Sequence, residues 1–303
     1  MDVSVLKGIV PPLATPVTED ENIDEGALRT LVNHCVEKKL HGIFVAGTNG
    51  ESLSTTQEQR DESLRIALDE AKGRIPVLGG VMDSSTRRVI ENIKRFEQMG
   101  GEYVVVSPVF YSAHAGNRET IRHFEEIAKN TEAKILAYNI PGCTGLNMTP
   151  EMVYEIAQID KVVGLKDSSG NFAQFQKLIN HFRGTDFKLF QGISALAGPS
   201  ILMGADGLVL CYAPLFPEIH LDLYESALRK DVDRLILLSP LIEKIVGINT
   251  LSTYNVSAFK CSMSVLGFMD KRVIRPSEPV KPEEEKRIRE TVEQINAEYE
   301  KIK

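Results

Sequence analysis

The sequence has few of the residues that cross-link a chain or bind a metal ion. Its four cysteines, Cys35, Cys143, Cys211 and Cys261, include no CxxC pair. We therefore expect reduced thiols rather than a disulfide framework or a zinc site. The six histidines show neither HxH nor HExxH spacing, so a metal-dependent mechanism has little support.

The sequence also lacks an excess of positive charge and any long apolar run. Its 35 Lys and Arg residues are outnumbered by 42 Asp and Glu residues, for a net charge of −7. This argues against a nucleic-acid partner, because no basic stripe is available to neutralise phosphates. No apolar run reaches the roughly 20 residues that span a bilayer, and the opening "MDVSVLK" lacks the order of a signal peptide. We expect a cytoplasmic protein that binds a small molecule.

What the sequence does contain is a series of short apolar runs separated by segments with helical periodicity. Eight runs lie at residues 9–10, 42–46, 77–81, 103–106, 135–138, 162–165, 188–191 and 207–210. They are apolar on consecutive positions, as expected of parallel strands that are buried on both faces. Eight strand–helix units within about 230 residues predict an α/β fold, a TIM (β/α)8 barrel. A doubly wound open sheet is the alternative, but no GxGxxG follows the first strand.

Beyond about residue 216 only helical patterns continue. They cover residues 221–228, 232–246, 256–266 and 282–302. We expect residues 1–230 to form the barrel and residues 231–303 a C-terminal helical region packed on it. In the last helix Ile288, Val292, Ile295 and Tyr299 recur every three or four residues, which is typical of the buried face of a surface helix rather than of a coiled coil.

In barrel enzymes the active site lies at the C-terminal ends of the strands, here called the mouth of the barrel. The second strand is followed by "GTNGE" at 47–51 and the fourth by "SPVFY" at 107–111. The fifth ends in "YNIP" at 138–141, the sixth in "KDSSG" at 166–170 and the seventh in "GIS" at 192–194. The predicted barrel therefore brings an amine, a phenol and a glycine-rich loop with hydroxyl groups to one mouth.

Lys166 ends an apolar strand, where an isolated ammonium is costly and a buried lysine tends to lose its proton. A neutral amine can form a Schiff base with a ketone, a tyrosine such as Tyr138 can transfer the protons, and the turn that begins at Gly47 offers N–H donors to a carboxylate. Each residue also has a purely structural interpretation. Lys166 could extend to solvent, Tyr138 could be a core residue, and Glu51 could be an acid in the first turn of a helix. Because these residues are predicted at one mouth, a catalytic role is favoured.

The segments "GTNGES", "YNIP" and "GLKDSSGN" together resemble the signatures of the dihydrodipicolinate synthase/N-acetylneuraminate lyase family of pyruvate-dependent aldolases, and the resemblance extends from "GIVPPLATP" to the helical tail. It implies a TIM barrel, usually a homotetramer, with no metal or organic cofactor. It further implies that Lys166 is the Schiff-base lysine and Tyr138 the proton-transferring tyrosine. Thr48 and Asn49 would bind the pyruvyl carboxylate, with Thr48 also in the proton relay. Gly47 and Gly192 complete the predicted substrate-binding set.

Three positions depart from the family pattern. Dihydrodipicolinate synthases usually carry an arginine where this chain has Cys143, and a thiol cannot replace a bidentate guanidinium. Neuraminate lyases usually carry an acidic pair where this chain has Ile193 and Ser194. The family's relay tyrosine, often inserted from a neighbouring subunit, is replaced by Phe110. Three alternatives are open at this point: the next residue, Tyr111, serves as the relay, water does, or the relay has no member here.

The residues predicted to bind and activate pyruvate are thus typical of the family, while those expected to contact the acceptor aldehyde are not. The favoured interpretation is an aldolase that cleaves a 2-keto-3-deoxy (sugar) acid to pyruvate and a neutral aldehyde. The alternative is 4-hydroxy-tetrahydrodipicolinate synthase, which condenses pyruvate with aspartate semialdehyde, with its carboxylate-binding group displaced. A dehydratase that uses the same Schiff base and a non-catalytic barrel that binds a 2-keto acid also remain open.

Overall fold

The computed structural model describes residues 3–111 and 117–303. Eight parallel strands form one sheet in the order β1-β8-β7-β6-β5-β4-β3-β2. The strands are β1 (Gly8–Ile9), β2 (Ile43–Val45), β3 (Val77–Gly80), β4 (Tyr103–Val106), β5 (Lys134–Asn139), β6 (Val162–Asp167), β7 (Lys188–Gln191) and β8 (Gly207–Leu208).

The two outer strands of this order meet and close the barrel. A parallel bridge joins Pro12 to Phe44, and backbone hydrogen bonds run from Leu13 N to Phe44 O at 2.8 Å and from Phe44 N to Pro11 O at 2.9 Å. All eight predicted strands are present, and the TIM barrel is confirmed.

Both faces of the strands are buried, as the unbroken apolar runs predict. On β5, Leu136 and Tyr138 belong to the core inside the barrel, while Ile135 and Ala137 belong to the layer between strands and helices. This alternation has period two. It decides which strand-end side chains face the mouth.

The helices surround the barrel and continue beyond it. They are α1 (Glu25–Glu37), α2 (Gln57–Ala71), α3 (Thr86–Gln98), α4 (Asn117–Lys129), α5 (Pro141–Thr144), α6 (Pro150–Ile156), α7 (Phe172–Phe182), α8 (Ala197–Met203), α9 (Pro217–Arg229), α10 (Val232–Gly247), α11 (Asn255–Ser264) and α12 (Pro282–Ile302). Short side chains define several starts: Asp24 caps α1 and Thr149 caps α6, each accepting a hydrogen bond from a first-turn N–H.

The bounds of the C-terminal helices α10 to α12 agree to within about two residues with those of the segments predicted from periodicity. The four periodic residues of α12 are all buried and belong to the main hydrophobic core, as a surface helix requires. The boundary at residue 230 remains a prediction. Within the described ranges, no single helix is both long and apolar enough to cross a membrane, and only Val232–Leu251 together with Asn255–Ser264 would pass by length and composition, with a bend of 115° between them.

Candidate active site

The buried amine of Lys166 lies at the mouth of the barrel, on β6. Lys166 is 4% exposed and pairs in register with Tyr138 on β5. Its Nζ lies 3.8 Å from the centroid of the Tyr138 ring and 4.8 Å from that of the Phe44 ring. Among the residues the structure describes, no carboxylate lies within salt-bridge distance of this Nζ.

A second fully buried lysine shows the contrast. Lys260, on α11, forms an ion pair with Glu51 in which Nζ and Oε2 are 2.7 Å apart. Lysines are rarely buried unless paired, and Lys260 follows that rule. Lys166 is instead surrounded by aromatic faces, which suits an amine that must react with a substrate rather than hold a salt bridge.

The hydroxyl of Tyr138 has one hydrogen-bond partner in the described ranges. Ser168 Oγ donates to Tyr138 Oη at 3.5 Å, and the Ser168 N–H donates to Asn139 O at 2.8 Å. Ser168 is not among the site residues predicted from the sequence. The available signal was its position two residues after Lys166, since residues two apart along a strand point to the same face.

Gly192, a predicted substrate-binding residue, lies against this group. A Cβ added there would come within 2.2 Å of Ser168 Oγ and 3.3 Å of Lys166 Cε. Any larger residue would therefore displace the serine or crowd the lysine. Gly192 keeps the space beside the amine open.

The loop at 47–51 reaches the same mouth through Phe44. A Cβ on Gly47 would lie 2.7 Å from the Phe44 ring, the ring that also lies near Lys166. Thr48 is exposed and Asn49 half-buried. The loop closes as a turn, with Gly50 N donating to Gly47 O at 3.1 Å. Glu51 does not begin a helix, because α2 starts at Gln57, so its interpretation as a helix acid is wrong.

Asn49 and Lys166 both lie close to one thiol, that of Cys211. Burial raises the pKa of the Cys211 thiol to about 11, while a hydrogen bond with the Asn49 side chain and the charge of Lys166 oppose the rise. Cys211 follows β8, and its thiol remains protonated at neutral pH.

The predicted relay partners of Tyr138 form no hydrogen bond with it in the part of the chain that the structure describes. Neither Thr48 nor Tyr111 hydrogen-bonds to Tyr138 in the described ranges, and Tyr111 is 99% exposed. Catalytic hydrogen bonds often tighten only when substrate is bound. The relay roles of Thr48 and Tyr111 therefore stay predictions.

A cavity of about 220 Å³ adjoins the mouth and extends from Thr48 to the C-terminal region. Its lining combines hydroxyl groups with apolar side chains and one thiol. The lining residues are Thr48, Glu51, Ser52, Leu53, Ser54, Met82, Ser107, Phe110, Ile140, Cys143, Thr144, Val256 and Ser277. No lysine or arginine is among these described residues, and the Glu51 carboxylate is already paired.

The opposite face of β6 carries a buried carboxylate. Asp167 accepts hydrogen bonds from Asn139 Nδ2 at 2.8 Å and Ser169 Oγ at 2.7 Å. Burial raises the pKa of this carboxyl, and the hydrogen bonds oppose the rise. These contacts fix the ends of β5 and β6 relative to each other, and so fix Tyr138 relative to Lys166.

A barrel with a buried, unpaired amine at its mouth is the architecture of a Schiff-base aldolase. The sequence matches the dihydrodipicolinate synthetase family over residues 5–295, and the chain belongs to this family. It is accordingly an enzyme, a carbon–carbon lyase of the pyruvate Schiff-base aldolase class.

Its relatives include two proteins named 4-hydroxy-tetrahydrodipicolinate synthase. That of Methanopyrus kandleri is 32% identical over 231 residues, 76% of each chain. That of Phocaeicola vulgatus is 28% identical over 277 residues, 91% of this chain and 92% of the relative. The solved structure of dihydrodipicolinate synthase from Bacteroides thetaiotaomicron superposes with a TM-score of 0.91 at 30% identity, covering 97% of this chain and all of that one. These three names are those of the enzyme given above as the alternative to the 2-keto-3-deoxy acid aldolase.

Proposed function

We propose that this enzyme forms an imine between Lys166 and the keto carbon of pyruvate. The observation that carries the proposal is a 4% exposed amine without a carboxylate partner in the described ranges. The neutral amine adds to C2, the carbinolamine loses water, and the resulting iminium accepts electrons from the adjacent bond. In the cleavage direction the C3–C4 bond breaks, C3 becomes part of an enamine, and the C4 hydroxyl loses its proton as the aldehyde forms.

The other predicted residues divide the remaining tasks. Thr48, Asn49 and the turn at Gly47 are suited to hold the pyruvyl carboxylate, because oriented N–H groups form anion-binding concavities. Tyr138 is suited to move protons at the carbinolamine and at the C4 hydroxyl. Gly192 leaves room for the carbon chain beside the amine.

We propose a neutral, hydroxylated acceptor aldehyde, so that the substrate in the cleavage direction is a 2-keto-3-deoxy acid. The support is the cavity beside the mouth, whose lining has hydroxyl groups at Ser52, Ser107 and Thr144 and the Cys143 thiol, with no lysine or arginine among its described residues. Desolvating a carboxylate in such a cavity would be costly, whereas sugar hydroxyls would find partners there.

The second candidate is 4-hydroxy-tetrahydrodipicolinate synthase, and the names of the relatives support it. For this chemistry a cationic group must reach the carboxylate of aspartate semialdehyde from outside the described lining. A neighbouring copy of the chain is one source of such a group. The two candidates share the imine and differ only in the acceptor.

Three measurements test these candidates: trapping of the imine, the masses of the products, and a comparison of rates. Borohydride and pyruvate together should attach a reduced pyruvyl group to the enzyme, and failure to trap any adduct would favour a non-catalytic 2-keto-acid-binding protein. Product masses would then separate cleavage from dehydration. Side-by-side kcat/KM values for aspartate semialdehyde and for a panel of neutral aldehydes with pyruvate identify the acceptor.

We also propose that the enzyme is a cytoplasmic homotetramer. Leu53, which lines the cavity, and Tyr111 are 60% and 99% exposed, and exposed apolar side chains suit contact with a second copy. Sedimentation velocity at micromolar concentration is the test, and a monomer there would contradict the proposal.

A further inference from the structure

The carboxylate of Glu51 joins three segments that are far apart in the sequence. Its Oε2 accepts from Lys260 Nζ at 2.7 Å, across 209 residues. Its Oε1 accepts from the backbone N–H of Ile274 at 2.8 Å, across 223 residues. The side chains of Glu51 and Lys260 are 4% and 0% exposed. Both carboxylate oxygens are thus occupied within the protein, so this group is not available as a general base.

The backbone of Glu51 is also constrained. Its φ is +54°, in the left-handed region that a residue with a side chain adopts only when its surroundings impose it. The loop before it is held by two further bonds, from Glu51 N to Thr48 O at 3.1 Å and from Thr15 Oγ1 to Gly50 O at 2.7 Å. The Glu51 side chain therefore connects the C-terminal region to the loop that carries Thr48 and Asn49.

A gain in the free energy of unfolding does not explain why this ion pair is buried. A buried ion pair gains little over an apolar pair of the same size, because desolvation offsets the attraction. Desolvation lowers the pKa of Lys260 and the Glu51 charge opposes it, which reflects the same competition. What the pair supplies is a fixed distance between α11 and the loop.

We propose that Glu51 and Lys260 are positioning residues that set the loop at 47–51 for binding of the pyruvyl carboxylate. The inference rests on the proposed function, which assigns carboxylate binding to Thr48 and Asn49. Lys260 is fully buried, and the Glu51 carboxylate is held by Lys260 and by the Ile274 N–H, so neither residue is assigned a contact with pyruvate. Their effect passes through the loop, so it should appear in pyruvate affinity rather than in the chemistry at Lys166.

The test is the double variant Glu51→Gln/Lys260→Met, which removes both charges at nearly constant volume. The assay is the exchange of pyruvate C3 protons in D2O, followed by NMR, because it reports imine and enamine formation without any acceptor. We expect the KM for pyruvate to rise about tenfold, the scale of a hydrogen bond to a charged group. The maximal exchange rate should stay within about threefold of wild type, since Lys166 and Tyr138 are intact.

The control is Lys244→Met/Glu298→Gln, which makes the same two substitutions in a more exposed ion pair, with side chains 39% and 30% exposed. This pair joins α10 to α12 at 2.6 Å, and within the described ranges neither residue hydrogen-bonds to the loop. The control should keep the wild-type KM even if its melting temperature falls, so a KM effect in the first variant alone separates positioning from general stability. Glu51→Asp, which keeps the charge but withdraws it by one methylene, is the second variant should the double variant not fold. It should show an intermediate rise in KM.

Each remaining outcome has a definite meaning. Wild-type KM in a folded double variant or in Glu51→Asp would overturn the positioning role, as would a fall in the maximal rate with an unchanged KM. The same rise in KM in the control would also overturn it. Wild-type enzyme that neither exchanges pyruvate protons nor traps an adduct would overturn the proposed function, and the positioning role with it.

Discussion

Lys166 and Tyr138 lie side by side on neighbouring strands, with the amine 3.8 Å from the centroid of the phenol ring. The contact follows from the register of β5 and β6, so it does not depend on the placement of any loop. Variants at either residue should therefore alter chemistry while the barrel remains folded.

Lys166→Ala should abolish trapping of pyruvate by borohydride. No other lysine is both buried and without a carboxylate partner at the mouth among the described residues, so the amine has no substitute. Peptide mapping by mass spectrometry should find the reduced pyruvyl group on the wild-type peptide that contains Lys166. Lys188→Ala, which removes a strand lysine paired with Asp206 at 3.1 Å, is the control and should still be labelled. An adduct on the Lys166→Ala protein would contradict the assignment.

Tyr138→Phe should lower kcat by roughly 10²–10⁴, the contribution of a positioned proton-transfer group. Pyruvate binding should weaken far less, because the ring that packs near the amine remains. Stopped-flow trapping and steady-state turnover measure the two effects separately. Tyr154→Phe removes a hydroxyl on α6, where the ring stacks on His181 of α7 at a centroid distance of 3.8 Å, and should leave turnover unchanged. Wild-type turnover in a folded Tyr138→Phe protein would make Tyr138 a core residue only.

Much of this site could be predicted from local sequence patterns. Strands buried on both faces have continuous apolar runs, so β5 and β6 are visible in the sequence, and their C-terminal ends locate Tyr138 and Lys166 at one mouth. The helix α12 is visible because its buried residues recur at helical spacing.

Contacts between distant segments could not be predicted in the same way. Glu51 forms an ion pair with Lys260, which is 209 residues away in the sequence. The residues around either position give no indication of its partner. A lysine among the buried residues of α11 indicates that some partner exists, but not which carboxylate supplies it. The hydrogen bond between Ser168 and Tyr138 likewise depends on the geometry of two strand ends, beyond what alternation alone provides.

The stability of the fold should decrease on mild acidification, and His220 should account for part of the loss. His220 is 0% exposed on α9, its Nδ1 lies 2.8 Å from Phe216 O, and its Nε2 has no partner in the described ranges. Burial lowers the pKa of His220 to about 4, from 6.5, and the hydrogen bond with Phe216 opposes this shift. Between these values the unfolded state binds more protons than the folded state, so the free energy of unfolding falls as the pH drops.

The measurement is urea unfolding of wild type and His220→Leu at several pH values from 7 to 4. The difference in unfolding free energy between the two proteins should change by at most about 3 kcal/mol across the window of about 6.5 to 4. The raised pKa of Asp167 acts in the opposite direction, but it is present in both proteins and cancels in the difference. Parallel curves for the two proteins would show that His220 does not contribute.

The acceptor preference should depend on Cys143, which is exposed and lines the cavity beside the mouth. Aspartate semialdehyde carries a carboxylate, and a charge-assisted bond to a guanidinium contributes about 1.5–3 kcal/mol, or roughly 10- to 150-fold in rate. A thiol offers only a weak donor. We therefore expect a lower kcat/KM for pyruvate with aspartate semialdehyde than for cleavage of at least one neutral-tailed 2-keto-3-deoxy acid.

Two variants at this position make the test specific. Cys143→Arg should raise kcat/KM for aspartate semialdehyde, because it adds a bidentate donor. The difference from kcat/KM for the neutral-tailed 2-keto-3-deoxy acid should therefore become smaller. Cys143→Ala removes the thiol without adding charge and should leave the ratio of the two kcat/KM values unchanged. Wild-type activity with aspartate semialdehyde within tenfold of the best substrate would instead identify the enzyme as the synthase. The carboxylate would then have to be bound by a group other than residue 143, and Cys143→Arg would bring little further gain.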